Sequence, residues 1–308
     1  MNQTQVNTDV IATIEDYYLV ALLSSVFCVC GIIISTYIVI LIHRAKPRLR
    51  TVHRLLVSNT CFASIFYSVI TMINYIVFIF AQWETSNTGC KWRAYLAYVG
   101  IAGVLHSYMI QAISRICSCV FSTTHRWLTT TKTHFCLIAV QWLIVFVITL
   151  STLITHDVRY RPQKLCFIPI EKTLHVVCAI FAYYTIPLAT TIVIYVFIFC
   201  RMKKTIKINN TYQRVKRDLE ALRNIIFLIG IYIASGLPSI IYFFSPSKYP
   251  YLINLVTQSL AVTLATSATV LLDREICRLI TTSLCRTTFV VPFNNPHSII
   301  SKGQAYCH

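Results

Sequence analysis

The residues of this chain best able to attack a substrate or hold a metal are 13 cysteines and nine histidines, scattered along 308 positions. No Cys-x-x-Cys pair occurs, and no Cys/His spacing suits zinc. Nor is there a nucleophile–base pair or a glycine-rich loop that would cradle a phosphate. The sequence therefore predicts no enzyme, no cofactor and no metal site. Most of the cysteines read as small apolar residues within helices. The remaining chemistry is charge: 27 Lys and Arg against ten Asp and Glu, a formal net charge of +17. In a soluble chain that excess would point to nucleic acid. Here the cations cluster in short segments between apolar runs, which makes them a topology signal and leaves nucleic acid out of the expected partners.

The elements that must position these charges are set by composition. The chain is 56% hydrophobic and 12% charged, where soluble proteins carry roughly a quarter charged residues. Apolar stretches long enough to cross a bilayer recur, and we place helices at 17–42, 55–80, 92–121, 134–155, 174–200, 221–244 and 251–272. The expected fold is an all-α membrane protein, a bundle of seven transmembrane helices over 17–272. The loops alternate in charge. Arg44, Lys46, Arg48, Arg50 and Arg54 fill the first, Arg126 and Lys132 the second odd loop, and Arg201 to Arg223 the third. With Arg115 and the tail from Arg274, most cations then lie on one side, which puts the N-terminus outside and the C-terminus in the cytoplasm of a multi-pass plasma-membrane protein. Residues 1–16 form a polar outer tail without the pattern of a cleaved signal peptide, and Asn2-Gln3-Thr4 is a glycosylation sequon there. All acidic residues fall in tails, loops or helix ends. Pumps, ion-coupled transporters and intramembrane proteases keep ionisable groups at midplane because their chemistry needs them, so those classes are disfavoured. A pore lined by backbone or hydroxyls stays open.

Certain residues stand at telling intervals. Trp83 precedes Cys90 by seven residues, and Arg115 follows it by twenty-five. Trp142 lies in the fourth span and Cys166 in the loop beyond it. Pro187 and Tyr195 share the fifth span, while Asp218 and Pro238 lie near the start and within the sixth. In this order and on seven spans, from residue 17 to about 285, the set resembles the rhodopsin-like (class A) G-protein-coupled receptors. The resemblance implies a disulfide between Cys90 and Cys166, both expected outside, where such a bond persists; two free thiols are the alternative. It implies a switch in which Arg115 pairs with Asp218 and later meets Tyr195, with Pro238 kinking the sixth helix. On its own, a cation at Arg115 could equally snorkel to lipid phosphates.

The chain also departs from the family. Its Asp-Arg-Tyr motif reads Ser114-Arg115-Ile116, Ile32 replaces the Asn of helix one, and Ser64 replaces the Asp of helix two. Without that carboxylate, sodium has no anionic ligand in the core. Gly236 stands where the family has Trp, and Ala265 to Thr269 where it has Asn-Pro-x-x-Tyr. This is a divergent member.

The resemblance implies a receptor that binds an extracellular ligand and activates a heterotrimeric G protein. The alternatives are a seven-helix channel or carrier, or a receptor-like protein that no longer signals. Ala97 occupies the position where amine receptors carry a carboxylate, so a small apolar molecule or short peptide is the expected ligand. Tyr98, Ile101, Tyr183, Ser239, Tyr242 and Phe243 are the candidate wall, packed aromatics without a ligand being the alternative. Lys203, Lys204, Lys207, Arg214, Lys216 and Arg217 suit anionic membrane lipid and, by resemblance, the G protein. Residues 273–285 place Ile276, Leu279, Ile280 and Leu284 on one face of an amphipathic eighth helix on the membrane surface. Cys277 and Cys285 there are acylation candidates or free thiols, and 286–308 is expected to be a cytoplasmic tail.

Overall fold

A segment without water around it must satisfy every backbone N–H and C=O internally, which makes each apolar run a helix. The computed structural model describes residues 14–44, 51–80, 86–120, 126–155, 157–158, 165–168, 173–208, 227–238, 240–241 and 248–272. Its helices are α1 (Ile14–Arg44), α2 (Thr51–Phe80), α3 (Asn87–Val120), α4 (Thr131–Thr149, continued by Ser151–Ile154), α5 (Thr173–Ala179, Ile180–Thr185 and Ile186–Ile208), α6 (Phe227–Pro238) and α7 (Lys248–Leu272). All but α6 contain a stretch long and apolar enough to span a membrane, and α6 is a shorter apolar helix as far as it is described. The chain is an all-α, multi-pass membrane protein built as a seven-helix bundle.

Local chemistry explains several boundaries. The third helix starts at Asn87, ahead of the expected residue 92, because Ser86 caps it: its hydroxyl accepts from Gly89 N at 3.3 Å and its carbonyl from Cys90 N at 3.1 Å. Cys90 thus lies inside the first turn. A one-turn 3₁₀ helix, Arg126–Thr129, leads into α4, whose N-cap Thr130 accepts from Thr133 N at 3.4 Å. The fifth helix runs on to Ile208, past the expected 200. Over Ile180–Thr185 it winds as a π-helix, directly before Pro187, which has no N–H to return to the Tyr183 carbonyl.

Large apolar residues point away from the bundle, as Leu22, Val26 and Ile33 do on α1 and Leu143 and Val147 on α4, while Ser24, Ser64, Ser107 and Ser259 are buried. That inversion follows from the solvent, because lipid gives no hydrophobic drive between helices, and close packing and interhelical hydrogen bonds must hold them. The centre is α3, 67% of whose core window is buried against 22% for α4. It can approach α2 because Gly100 has no side chain: a Cβ there would stand 2.8 Å from the Tyr67 Cα. Beside it, Trp142 Nε1 donates to Asn59 Oδ1 at 3.0 Å, Asn59 Nδ2 to Gln141 Oε1 at 2.9 Å, and Gln141 Nε2 to the Gly103 carbonyl at 3.2 Å. This relay locks α2, α3 and α4 together.

Candidate functional site

At one end of the bundle, α3 carries Ser114 and Arg115 in its last turns. Ser114 is held by α4. His134 Nδ1 lies 2.8 Å from the Thr130 carbonyl, so that nitrogen carries the proton and Nε2 accepts from the Ser114 hydroxyl at 2.7 Å. Both residues are buried. Arg115 is thereby left to face a cavity of about 60 Å³, room for a few waters. Gln111, Tyr195, Tyr232, Tyr108 and Thr269 share its wall, together with Pro187 and Leu188 of α5 and Leu228 and Ile229 of α6. Gln111 Nε2 donates to Thr60 Oγ1 at 2.6 Å. The Tyr108 hydroxyl lies 3.3 Å from Thr269 Oγ1, and its ring 5.7 Å from that of Tyr232. Five helices thus meet around a space in which Arg115 shares a mostly apolar wall with a few hydroxyl and amide groups. Such a space can hold water or a polar group from a partner.

The other end is roofed by the loop after α4. Cys90 and Cys166 are joined by a disulfide, with Cα atoms 5.3 Å apart. The bond seats Leu165–Ile168 on the bundle, where Ile168 N donates to the Tyr98 hydroxyl at 3.1 Å and Phe167 meets the Tyr98 ring at 6.2 Å. Tyr98 also lies 5.9 Å from Tyr183. The Tyr183 hydroxyl is 3.3 Å from Ser151 Oγ, and His175 links the two helix ends, with Nδ1 3.0 Å from Asp157 Oδ2 and 3.2 Å from Thr155 Oγ1. Ile101 packs one turn deeper, against the cluster of Tyr67, Tyr108 and Tyr232.

Between the two ends, α1, α2 and α7 share a seam of hydroxyls. Thr266 Oγ1 donates to Ser64 Oγ at 3.1 Å, and Thr263 Oγ1 to the Phe27 carbonyl at 2.8 Å. Ser64 is fully buried there.

The residues singled out in the sequence therefore divide. Arg115 and Tyr195 share one cavity, and Tyr98 and Tyr183 share one aromatic cluster under the loop. Ile101 is separated from that cluster, and Pro238 lies in α6 as far as that helix is described. Asn2, Trp83, Asp218, Ser239, Tyr242, Phe243, Cys277, Cys285 and the helix expected over 273–285 lie outside the described residues, as do Arg214, Lys216 and Arg217. Lys203, Lys204 and Lys207 belong to the last turns of α5. Sequence reasoning missed His134, Tyr184, and the pair His175 and Asp157. No spacing rule pairs residues on different helices, and only the family motif's missing acid before Arg115 hinted that Ser114 needed a new partner.

The family model described as 7 transmembrane receptor (rhodopsin family) matches residues 35–285. A comparison with curated proteins finds no match.

Proposed function

Because the chain belongs to the rhodopsin family of seven-transmembrane receptors, we propose that it binds a small apolar molecule or short peptide outside the cell and activates a heterotrimeric G protein within. In this reading the N-terminus faces out at the plasma membrane, the Tyr98 end meets the ligand, and the Arg115 end faces the cytoplasm. The observation that carries it is the cavity in which Arg115 and Tyr195 share a wall with Leu228, Ile229 and Tyr232 of α6 and Thr269 of α7. A movement of α6 changes that space directly, so the position of one helix controls access to the guanidinium. Asp218 holds Arg115 in the resting arrangement, and Tyr195 meets it in the active one. The basic run from Lys203 to Arg217 draws that face to anionic lipid and to the G protein.

Ligand acts by favouring one of two arrangements of the bundle, and it can shift the balance only as far as its affinities for the two differ. Ala97 is buried and uncharged beside Tyr98, which supports an uncharged binding group over a monoamine. The test is expression in cells with parallel G-protein and membrane-current readouts against a broad panel of peptides and apolar small molecules. A ligand-dependent G-protein response supports the receptor. Ligand-gated current that persists after the G proteins are removed rejects it in favour of a channel.

A further inference from the structure

Where α5 meets α6, a ring stands against a missing side chain. The π-wound stretch Ile180–Thr185 widens the helix by one residue in that turn, and Thr185 Oγ1 spans the wider turn by donating to the Ile180 carbonyl at 3.3 Å. Two successive tyrosines on it face different neighbours. Tyr183 turns to α3 and α4, against Tyr98 and Ser151. Tyr184 turns to α6, where a Cβ built on Gly236 would stand 2.8 Å from Tyr184 Oη, 2.9 Å from Cζ and 3.1 Å from Cε1. The ring therefore fills the volume that any larger residue at 236 would need. Position 236 is also where the sequence departs from its family's Trp.

The Tyr184 hydroxyl is buried at this contact, beside Ser235 and the Gly236 backbone of α6. The ring also packs on the cluster of Tyr108 and Tyr232, both of which line the Arg115 cavity.

We propose that Tyr184 is the positioning residue through which a change at the Tyr98–Tyr183 cluster reaches α6. One turn of α5 carries both tyrosines, and the Tyr184 ring and the α6 backbone at Gly236 compete for the same space. Neither can move toward the other without displacing it. Leu228, Ile229 and Tyr232, which lie N-terminal to Gly236 on the same helix, then carry that displacement to the cavity wall. The consequence for signalling rests on the receptor reading; the steric contact does not.

The test uses the full chain in lipid nanodiscs, with its non-disulfide cysteines replaced and spin labels at Phe135→Cys on α4 and Phe227→Cys on α6, two exposed positions. Pulsed electron paramagnetic resonance reads the distance between them. Gly236→Ala should shift or broaden the distribution, and adding Tyr184→Ala should restore it. Gly230→Ala, where a Cβ meets nothing within 4 Å, should leave it unchanged. Alanine raises helix propensity at both sites, so the backbone favours both variants. Nucleotide exchange on a panel of purified heterotrimers should change about fivefold or more with Gly236→Ala, the scale of a modest coupling between sites, and return with the double variant. Identical distributions for Gly236→Ala and Gly230→Ala would overturn the proposal. So would a loss of folded yield in Gly236→Ala with no shift in distance, which is what a merely structural contact predicts. A shifted distance with no exchange on any heterotrimer in any variant would uphold the contact and sink the receptor reading.

Discussion

Arg115 lines its cavity with no ion-pair partner among the described residues. The acid that would precede it in the family is Ser114, which is engaged by His134. An arginine fork binds a carboxylate through two parallel bonds, and the larger penalty comes from leaving one partner unpaired in a partly dry site. Asp218→Ala is therefore expected to raise basal G-protein activation. Arg115→Ala should abolish coupling while surface expression persists, both read by nucleotide exchange in membranes normalised to surface protein. An unchanged basal rate in Asp218→Ala, in a protein that couples, would move the lock to the basic run from Lys203 to Arg217. The Ser114–His134 bond makes a separate prediction. His134→Leu removes the acceptor and leaves the buried Ser114 hydroxyl unpaired, a loss of about 1–3 kcal/mol. Thermal unfolding of the purified protein should show a lower midpoint, and adding Ser114→Ala should recover much of it because both polar partners are then gone.

The seam between α2 and α7 and the loop over α3 show how whole elements replace missing family features. Ser64 and Thr266 meet as two neutral hydroxyls, so α2 and α7 are joined without a carboxylate that would attract sodium. Basal G-protein activation should not change when potassium replaces sodium at constant ionic strength; a clear difference would require an anionic ligand elsewhere in the core. The disulfide acts on the loop after α4, since Leu165, Cys166 and Ile168 are buried in a segment with no regular helix of its own. Cys166→Ser should cost about 2–5 kcal/mol, as loss of a native disulfide does, and lower surface expression. Mass mapping under non-reducing conditions checks the bond directly, and two free thiols would remove the basis of the prediction.

The orientation proposed for the chain rests on its sequence, in which cations cluster in the odd loops and the tail. If Asn2 faces the lumen during synthesis, protein from mammalian cells should lose mass on enzymatic deglycosylation, Asn2→Gln should lack that mass, and a C-terminal tag should bind antibody only after permeabilisation. A tag accessible in intact cells would reverse the topology. Much of this architecture was legible from residue order alone. A span needs about twenty apolar residues, so runs such as those around Val26 or Val145 declare themselves without knowledge of any neighbour, and Cys90, Arg115, Trp142 and Pro187 could be placed along them by counting. What counting could not supply was the rotation of each helix about its axis. A soluble helix shows its buried face by contrast with a polar one, but in α1 and α4 apolar residues face lipid and core alike, and that contrast is lost. The partners that depend on rotation therefore came only from tertiary packing: His134 on Ser114, Asp157 on His175, Thr266 on Ser64, and Tyr184 in the space left by Gly236. Sequence determined how many times the chain crosses the membrane and which residues lie at each end; the packing of helices that are apolar all round decided which of those residues touch.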